Sequence, residues 1–253
     1  MRVGFIVLAA ALASGAVQAQ ASQAQTPKGA AFPRGAYAAL DKLPDWGGVW
    51  ILDPVKGART PDPVLKGPYL KDYQDWRAQT QAGIITSTGG SLCLPTGMPR
   101  MMTLGQYPME FLFTPGRVSM HLEAWAQQRA VWTDGRSHPS DWDPTFSGHS
   151  IGHWEGDVLV VDTVGIRDTT ALVAGMKHSG ATHVVERIHL DPADKDHLLV
   201  EMTVDDPVAL SAPWVTVNRF KRTRDGELYE YVCAENDRNP VDASGRVGFE
   251  GAK

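Results

Sequence analysis

Long apolar runs and basic stripes are both scarce in this sequence of 253 residues. The one marked apolar run, over residues 5–13, is too short to cross a bilayer as a stable helix. The formal net charge is only −5, and the acidic side chains are scattered along the chain. The composition therefore predicts neither a membrane span nor a nucleic-acid partner.

Several motifs that mark common enzyme classes are also missing. The sequence has no N-x-S/T glycosylation signal and no glycine-rich phosphate loop. Strand patterns do not alternate with helix patterns, which argues against a parallel α/β sheet and a nucleotide-binding fold. The pattern G-x-S-x-G does occur at 148–152. It lies in an apparent hairpin rather than a strand–turn–helix, so it does not support a serine hydrolase.

Cysteine is equally scarce, with Cys93 and Cys233 as the two examples. In an oxidising compartment an even, widely spaced pair predicts a disulfide bond. The alternatives are two buried free thiols or a nucleophilic cysteine. No activating motif surrounds either residue, and the disulfide is the prediction we carry forward.

The N-terminus has the pattern of a cleavable secretory signal. Arg2 precedes the apolar run, and small residues at 17–19 or 19–21 supply a cleavage site. We expect a signal peptide over 1–21 and a mature chain beginning near Gln20 or Ser22, in the periplasm or secreted. An uncleaved anchor is the alternative. Residues 22–44 are rich in Ala, Gln, Gly and Pro and predict a disordered tether, and 237–253 predict a flexible tail.

The remaining segment, 45–236, predicts a single β domain. Alternating apolar and polar residues recur between short turn signals, with one helix expected over 69–82. The expected strands after the first are 110–114, 117–124, 129–134, the hairpin 148–165, 183–190, 197–204, 214–222 and 228–235. Short turns favour antiparallel neighbours, and closure removes exposed edges. The predicted fold is a mainly β, antiparallel up-and-down barrel of about ten strands, with one helix and a long loop insert.

The insert ends in an irregular, methionine-rich stretch over 92–107. A long structured loop is often functional, because binding residues collect on loops held by a rigid scaffold. The alternative is a plug of flexible side chains that closes one end of the barrel.

The hairpin 148–165 contains the best catalytic candidate. With a two-residue loop at Glu155-Gly156, His149 lies opposite Asp162, on a face that also carries Ile and Val. A loop longer by one residue places His149 opposite Thr163 instead. Alternation defines the two faces of the hairpin, but it does not decide which face is interior.

One short motif resembles a known superfamily. Gly48-x-Trp50 at the start of the first strand resembles the G-x-W signature of lipocalins and other calycins. The resemblance implies a ligand-binding barrel in which a late basic residue packs over the tryptophan, here Arg219 or Arg222. The chain departs from lipocalins in its length, its large insert over 53–107 and the lack of a helix near its C-terminus. It also resembles secreted bacterial proteins of unassigned function that share the segments GHSIGHWEGD and HVVER, a resemblance that implies no activity.

Histidines and carboxylates near apolar positions predict acid–base chemistry. A neutral imidazole is the usual general acid or base, and an adjacent carboxylate fixes its tautomer. The candidate catalytic residues are His149, Asp162, His121, Glu123 and His153. The candidate substrate-binding residues are Trp125, Trp154, Met120, Phe111, His183 and Arg129. We expect a periplasmic lyase or isomerase that needs no cofactor and acts on a small apolar or aromatic molecule inside the barrel.

The sequence is compatible with three other functions. The first alternative is a lipocalin-like protein that binds and carries a hydrophobic ligand without catalysing a reaction. The second is a histidine-ligated metalloenzyme, if His121, Glu123 and His149 converge on a divalent metal, although their spacing matches no known ligand motif. A structural role in the cell envelope is the third. The sequence indicates no oligomeric state.

Overall fold

In the part of the chain that the structure describes, the architecture is a closed β-barrel with one α-helix on its surface. The computed structural model describes residues 36–56, 60–84, 93–105 and 107–233. Its α-helix, α1, spans Gly67–Gln81. Its strands are β1 (Val49–Leu52), β2 (Met109–Thr114), β3 (Arg117–Leu122), β4 (Gln127–Trp132), β5 (His149–Glu155), β6 (Val158–Val164), β7 (Ala171–Val173), β8 (Met176–Lys177), β9 (His183–Leu190), β10 (His197–Asp205) and β11 (Trp214–Thr223).

Within the described ranges, nine strands close the barrel in the order β1-β11-β10-β9-β6-β5-β4-β3-β2. The short strand β1 completes the circle because it pairs with β11 on one side and β2 on the other. Strands β7 and β8 form a separate hairpin. The predicted class, a mainly β barrel with one helix, is confirmed.

One strand pairing differs from the predicted all-antiparallel order. Strands β4 and β5 are parallel and pair only through Val131 with Ser150 and Trp132 with Ile151. The segment 133–148 therefore cannot be a hairpin turn and must cross over to bring the chain back in the same direction. The barrel is mixed, and this crossover covers the surface on which the candidate site lies.

The interior is filled by alternate side chains of the long strands. On β6 the side chains of Leu159, Val161 and Thr163 are completely buried, whereas Val160 and Asp162 between them face outward. An ion pair between Arg129 and Glu186 also lies inside the barrel, with both side chains at most 1% exposed. The centre of the barrel is thus occupied by the protein's own side chains.

The Trp50 side chain is completely buried and lies beneath an arginine. The Arg222 guanidinium carbon is 4.5 Å from the centre of the Trp50 ring, and its Nη1 donates to the carbonyl oxygens of Asp45 and Gly47. Of the two arginines considered for this position, Arg222 occupies it, and Arg219 pairs with Asp53. Gly48 has φ of +107°, and a Cβ there would lie 3.0 Å from the Thr223 carbonyl oxygen.

The methionine-rich segment packs into the core, which supports the plug interpretation. Met98, Met101 and Met102 are at most 2% exposed and belong to the main apolar cluster. The Met98 N–H donates to the Phe146 carbonyl, and the Thr170 hydroxyl donates to the Met98 carbonyl. Residues 92 and 106, at or near the ends of this segment, lie outside the described residues.

The predicted disulfide is confirmed, since Cys93 and Cys233 are bonded with their Cα atoms 5.5 Å apart. The strand predicted over 228–235 is wrong as far as it is described, because residues 228–232 form no strand. The chain has already closed the barrel at β11, which pairs with β1.

The predicted signal peptide, the first part of the predicted tether and the tail over 237–253 lie outside the described residues. Ala36–Lys42, in the second part of the tether, forms a short 3-10 helix. Among the described helices, none combines the length and the apolar character needed to cross a bilayer.

Candidate functional site

The site is built where the crossover 133–148 folds onto the outer face of β5 and β6. Thr145 anchors the end of the crossover, since its N–H donates to the Gly165 carbonyl and its carbonyl accepts from the Arg167 N–H. The Trp142 ring lies against Gly165, where a Cβ would come within 2.7 Å of the indole Cδ1. Glycine at this position, with φ of +65°, lets the crossover lie close to the sheet.

A salt bridge holds the first part of the crossover. The Arg136 guanidinium makes two hydrogen bonds of 2.9 and 2.6 Å to the carboxylate of Asp134 and stacks 3.7 Å above the Trp132 ring. This contact holds the pKa of Asp134 below its usual range. Because a bidentate arginine–carboxylate pair is directional, this contact fixes the conformation of the first residues of the crossover.

Three histidines and one aspartate form a continuous hydrogen-bonded chain under this loop. His138 Nδ1 lies 2.8 Å from His149 Nδ1, and His138 Nε2 lies 3.0 Å from Asp162 Oδ1. His183 Nε2 also lies 3.0 Å from the same Asp162 oxygen. We call this chain, His149–His138–Asp162–His183, the histidine relay.

One placement of the protons satisfies every hydrogen bond of the relay when its histidines are uncharged. An ionised carboxylate only accepts, so His138 and His183 each carry a proton on Nε2. A neutral His138 then offers a lone pair at Nδ1, which accepts the N–H of His149 Nδ1. This assignment leaves the basic lone pair of His149 on Nε2, an atom that has no hydrogen bond to any described residue.

His149 lies in an environment that favours its neutral form. The residue is 4% exposed, and its ring packs edge-on against Trp142 at 4.8 Å and His138 at 5.0 Å between centres. Burial is the largest influence that lowers its pKa, and the charge of Arg136 acts in the same direction. His149 is therefore an unprotonated imidazole at neutral pH, which a general base must be.

An aromatic groove of about 390 Å³ lies beside His149. The groove lies between β4 and β5, next to the residues that precede their two parallel pairs in the chain. Its apolar walls are the rings of Trp132, Trp142 and Phe146. The groove therefore combines aromatic surface with one unprotonated imidazole, which is the composition of a small-molecule site.

The predicted register of the central hairpin is wrong. Glu155 pairs with Val158 across a two-residue turn, so His149 lies opposite Val164 rather than Asp162 or Thr163. This register shifts the pairing by two residues from the first prediction, and a shift of two keeps every side chain on its original face. His149 and Asp162 consequently share a face as predicted, and His138 joins them.

Two predicted catalytic residues belong to the relay, and the other three do not. His153 is exposed and bonds Glu155 at 3.2 Å. His121 lies on the outer side of β3, 3.5 Å from Glu110, and Glu123 accepts from the Tyr229 N–H. These residues and the relay lie outside the barrel, so the interior pocket that we expected them to line is absent from the described structure.

The predicted substrate-binding residues separate in the same way. His183 belongs to the relay, whereas Arg129 is bound to Glu186 inside the barrel. The other four pack in apolar surroundings: Met120 and Phe111 in the core, Trp154 against Trp46 and Phe113, and Trp125 against Tyr107 and Tyr231. Their roles as substrate contacts stay predictions, and the groove beside His149 is lined by other residues.

His138 is not among the site residues predicted from the sequence, although it lies in a polar stretch over 136–147. Its partner Asp162 is 24 positions away, on a strand that the loop reaches only because β4 and β5 are parallel. The signal that pointed toward it was the cluster Asp134-Gly135-Arg136 just before it, which marks a loop with fixed geometry. Trp142, Phe146 and Trp132 were missed for the same reason.

Metal ligation by the relay is not indicated by its geometry. Among the described residues, no group of three or more His, Cys, Asp or Glu side chains is arranged to hold a metal ion. The facing nitrogens of His138 and His149 are 2.8 Å apart, a hydrogen-bond distance at which they bond each other.

The sequence matches no protein-family model, and no curated protein shows significant similarity to it. The function must therefore be argued from the site.

Proposed function

We propose that this protein is an acid–base enzyme, a lyase or isomerase, that acts on a small apolar or aromatic molecule. The substrate binds in the aromatic groove on the outside of the barrel, between the crossover and strands β4 and β5. The observation that carries the proposal is the histidine relay, which ends at an unprotonated imidazole in the wall of that groove.

The proposed step is the removal of a proton from a carbon of the bound substrate. His149 Nε2 accepts the proton, and the Nδ1–H of His149 strengthens its hydrogen bond to His138. Asp162 faces His138 and offsets the positive charge that develops on the pair, as the aspartate does in a serine-protease triad. Return of the proton to another carbon gives an isomerase, and loss of a leaving group from the adjacent carbon gives a lyase.

The relay needs only the protein's own imidazoles and carboxylate for this step. His183 donates its Nε2–H to the same oxygen of Asp162, and the His183 side chain is 40% exposed. Its N–H therefore holds the Asp162 carboxylate in place beside His138, and the abstracted proton returns to the product or to solvent from His149 itself. A divalent metal ion, kept as an alternative on the sequence, has no described ligand set at this site.

Replacement of His149 by asparagine tests the proposal. In D₂O, the wild-type protein should exchange the α-protons of aryl ketones such as 1-indanone faster than buffer, and proton NMR follows the exchange. A positioned general base contributes about 10²- to 10⁴-fold, so His149→Asn should lose most of that excess rate.

His153→Asn is the matched control. His153 lies four positions along the same strand and faces outward, but it bonds Glu155 and not the relay. Its replacement should leave the exchange rate unchanged. Exchange that survives His149→Asn, or falls equally in both variants, would exclude His149 as the base.

A second candidate is a carrier of hydrophobic ligands, and here we propose a distant relationship to the calycins. It is supported by the closed barrel and by the stacking of Arg222 on Trp50, which resembles the arginine–tryptophan contact of lipocalins. The filled barrel interior argues against a ligand in the usual lipocalin position. A ligand that co-purifies and is recovered unchanged after long incubation would favour the carrier.

We also propose that the chain is exported to the periplasm or secreted. The Cys93–Cys233 disulfide supports this location, because such bonds persist in oxidising compartments. The proposed signal sequence at residues 1–21 supplies the route.

A further inference from the structure

Arg100 is a partly buried arginine whose charge has no partner among the described residues. It begins a short 3-10 helix, Arg100–Thr103, in the plug. The described contacts of this residue consist of a hydrogen bond from the Thr103 hydroxyl to its backbone carbonyl, and no carboxylate in the described ranges reaches its guanidinium. Burial lowers the pKa of Arg100.

The other buried arginines of the barrel are compensated. Arg129 is bound by Glu186, Ser150 and Thr163. Arg222 donates to backbone carbonyls and lies within 3.4 Å of the carboxylates of Asp45 and Asp196. A cation that loses part of its hydration without gaining an anion is costly, so Arg100 differs from Arg129 and Arg222, the fully buried arginines of the described residues.

Arg100 lies between two cavities and lines both of them. The larger cavity, of about 570 Å³, is also lined by Arg219 and Asp62, both of which have partners elsewhere. The smaller, of about 270 Å³, has four aromatic rings in its wall: Trp76, Tyr107, Trp125 and Phe146. The smaller cavity therefore offers flat apolar surface next to an uncompensated positive charge.

Trp125 also belongs to the wall of the aromatic cavity. Its indole nitrogen is buried away from the cavity and has no hydrogen-bond acceptor among the described residues, so Trp125 contributes aromatic surface to the cavity and not a donor. Trp125 also has φ of 56°, a conformation that is strained for a residue other than glycine and that recurs at functional sites.

The backbone just before Arg100 is held by hydrogen bonds to two neighbouring segments. The Gly97 N–H donates to the Gln127 side chain at 2.7 Å, and the Met98 N–H donates to the Phe146 carbonyl at 2.8 Å. Gly97 is so close to Phe146 that a Cβ would lie 2.3 Å from its carbonyl oxygen. The position of Arg100 is thus fixed before any ligand binds, which reduces the entropy lost on binding.

We propose that the aromatic cavity of the plug binds an aromatic carboxylic acid, with its carboxylate on the Arg100 guanidinium and its ring among Trp76, Tyr107 and Phe146. Arginine suits this ligand because its planar fork matches the two oxygens of a carboxylate. The cavity contains no residue of the relay and shares only Phe146, among the residues named here, with the groove beside His149, so the proposal does not depend on the proposed function.

Calorimetry with matched acids and amides tests the proposal. The probes are 2-naphthoate and trans-cinnamate, each compared with its neutral amide, added to the full-length mature protein. The acids should bind at least tenfold more tightly than the amides. In Arg100→Met the acid and the amide should bind within about twofold of each other, and Arg100→Lys should retain part of the preference.

Two further measurements separate a binding role from a structural one. Without ligand, Arg100→Met should melt at or above the wild-type temperature, because it removes an uncompensated buried charge. The control Arg77→Met changes an exposed arginine of α1 that stacks on Tyr73 and should leave the acid preference intact. Equal binding of acid and amide by the wild type, no binding of either acid at millimolar concentration, or a preference that survives in Arg100→Met would overturn the proposal.

Discussion

Replacement of Glu186 by methionine is expected to lower the free energy of unfolding by about 3–5 kcal/mol. Glu186 is completely buried, and its carboxylate binds the guanidinium of Arg129 through both Nη atoms. Methionine has a similar volume but leaves the Arg129 charge in the barrel interior without its anion. Urea denaturation followed by tryptophan fluorescence measures the loss.

The double variant Arg129→Met/Glu186→Met should recover most of this stability. Replacement of a buried ion pair by apolar side chains of similar size is often neutral or stabilising, because neither charge must then be desolvated. The hydroxyls of Ser150 and Thr163 stay paired in the double variant, since they lie 2.9 Å from each other. A double variant less stable than Glu186→Met would contradict the proposed cause.

An exposed ion pair of the neighbouring residue, Arg187, is the control for the buried pair. Arg187 follows Glu186 on β9 but faces outward and bonds Glu155 at 2.9 Å, with both side chains more than 40% exposed. Exposed pairs contribute about 0–1 kcal/mol, so Arg187→Met should have a small effect. Equal losses from Glu186→Met and Arg187→Met would show that burial of the pair does not determine its importance.

Removal of the disulfide is expected to have the other large effect. The bond joins positions 140 residues apart, and every barrel strand except β1 lies between them. The chain-entropy treatment gives a stabilisation of about 5 kcal/mol for a loop of this size. The variant Cys93→Ser/Cys233→Ser should therefore unfold at a markedly lower urea concentration than the oxidised wild type.

A reductant distinguishes loss of the bond from damage by the substitutions. Reduction should bring the wild type to the stability of the serine variant and should not change the variant itself. A wild type whose unfolding midpoint is unaffected by complete reduction would show that the barrel does not depend on the bond.

The strands could be predicted from the sequence because alternation is local. The expected strand over 183–190 coincides with β9, and those near 197–204 and 214–222 differ from β10 and β11 by one residue. The disulfide followed from cysteine count and compartment. The terminal strand 228–235 failed because the pattern alone does not show that β1 already occupies the position beside β11.

Which face is interior could not be predicted, because both faces of the central strands are apolar. On β6 the outward residues Val158, Val160 and Val164 are as apolar as the buried Leu159 and Val161. A charged pair lies inside, against the usual rule, while the exposed side carries the relay. Hydrophobicity therefore gave no preference between the two faces.

The composition of the candidate site depends on one long-range feature, the parallel pairing of β4 with β5. That pairing sends the chain across the outer face and delivers His138 to Asp162 and Trp142 to His149. The sequence contained His149, Asp162 and His183 as candidates because they lie on strands with clear faces. It gave no local indication of where the polar loop at 136–147 would dock.

The pH dependence of α-proton exchange in the wild type and in Asp162→Asn tests the central claim most directly. The lowered pKa of His149 predicts that the wild-type rate rises as His149 loses its proton below the ordinary histidine pKa, and then stays level through neutral pH. Asp162→Asn should lower that plateau, because the amide cannot offset the charge on the imidazole pair. A rate that increases in proportion to hydroxide without a plateau, and that is the same in both proteins, would contradict the relay.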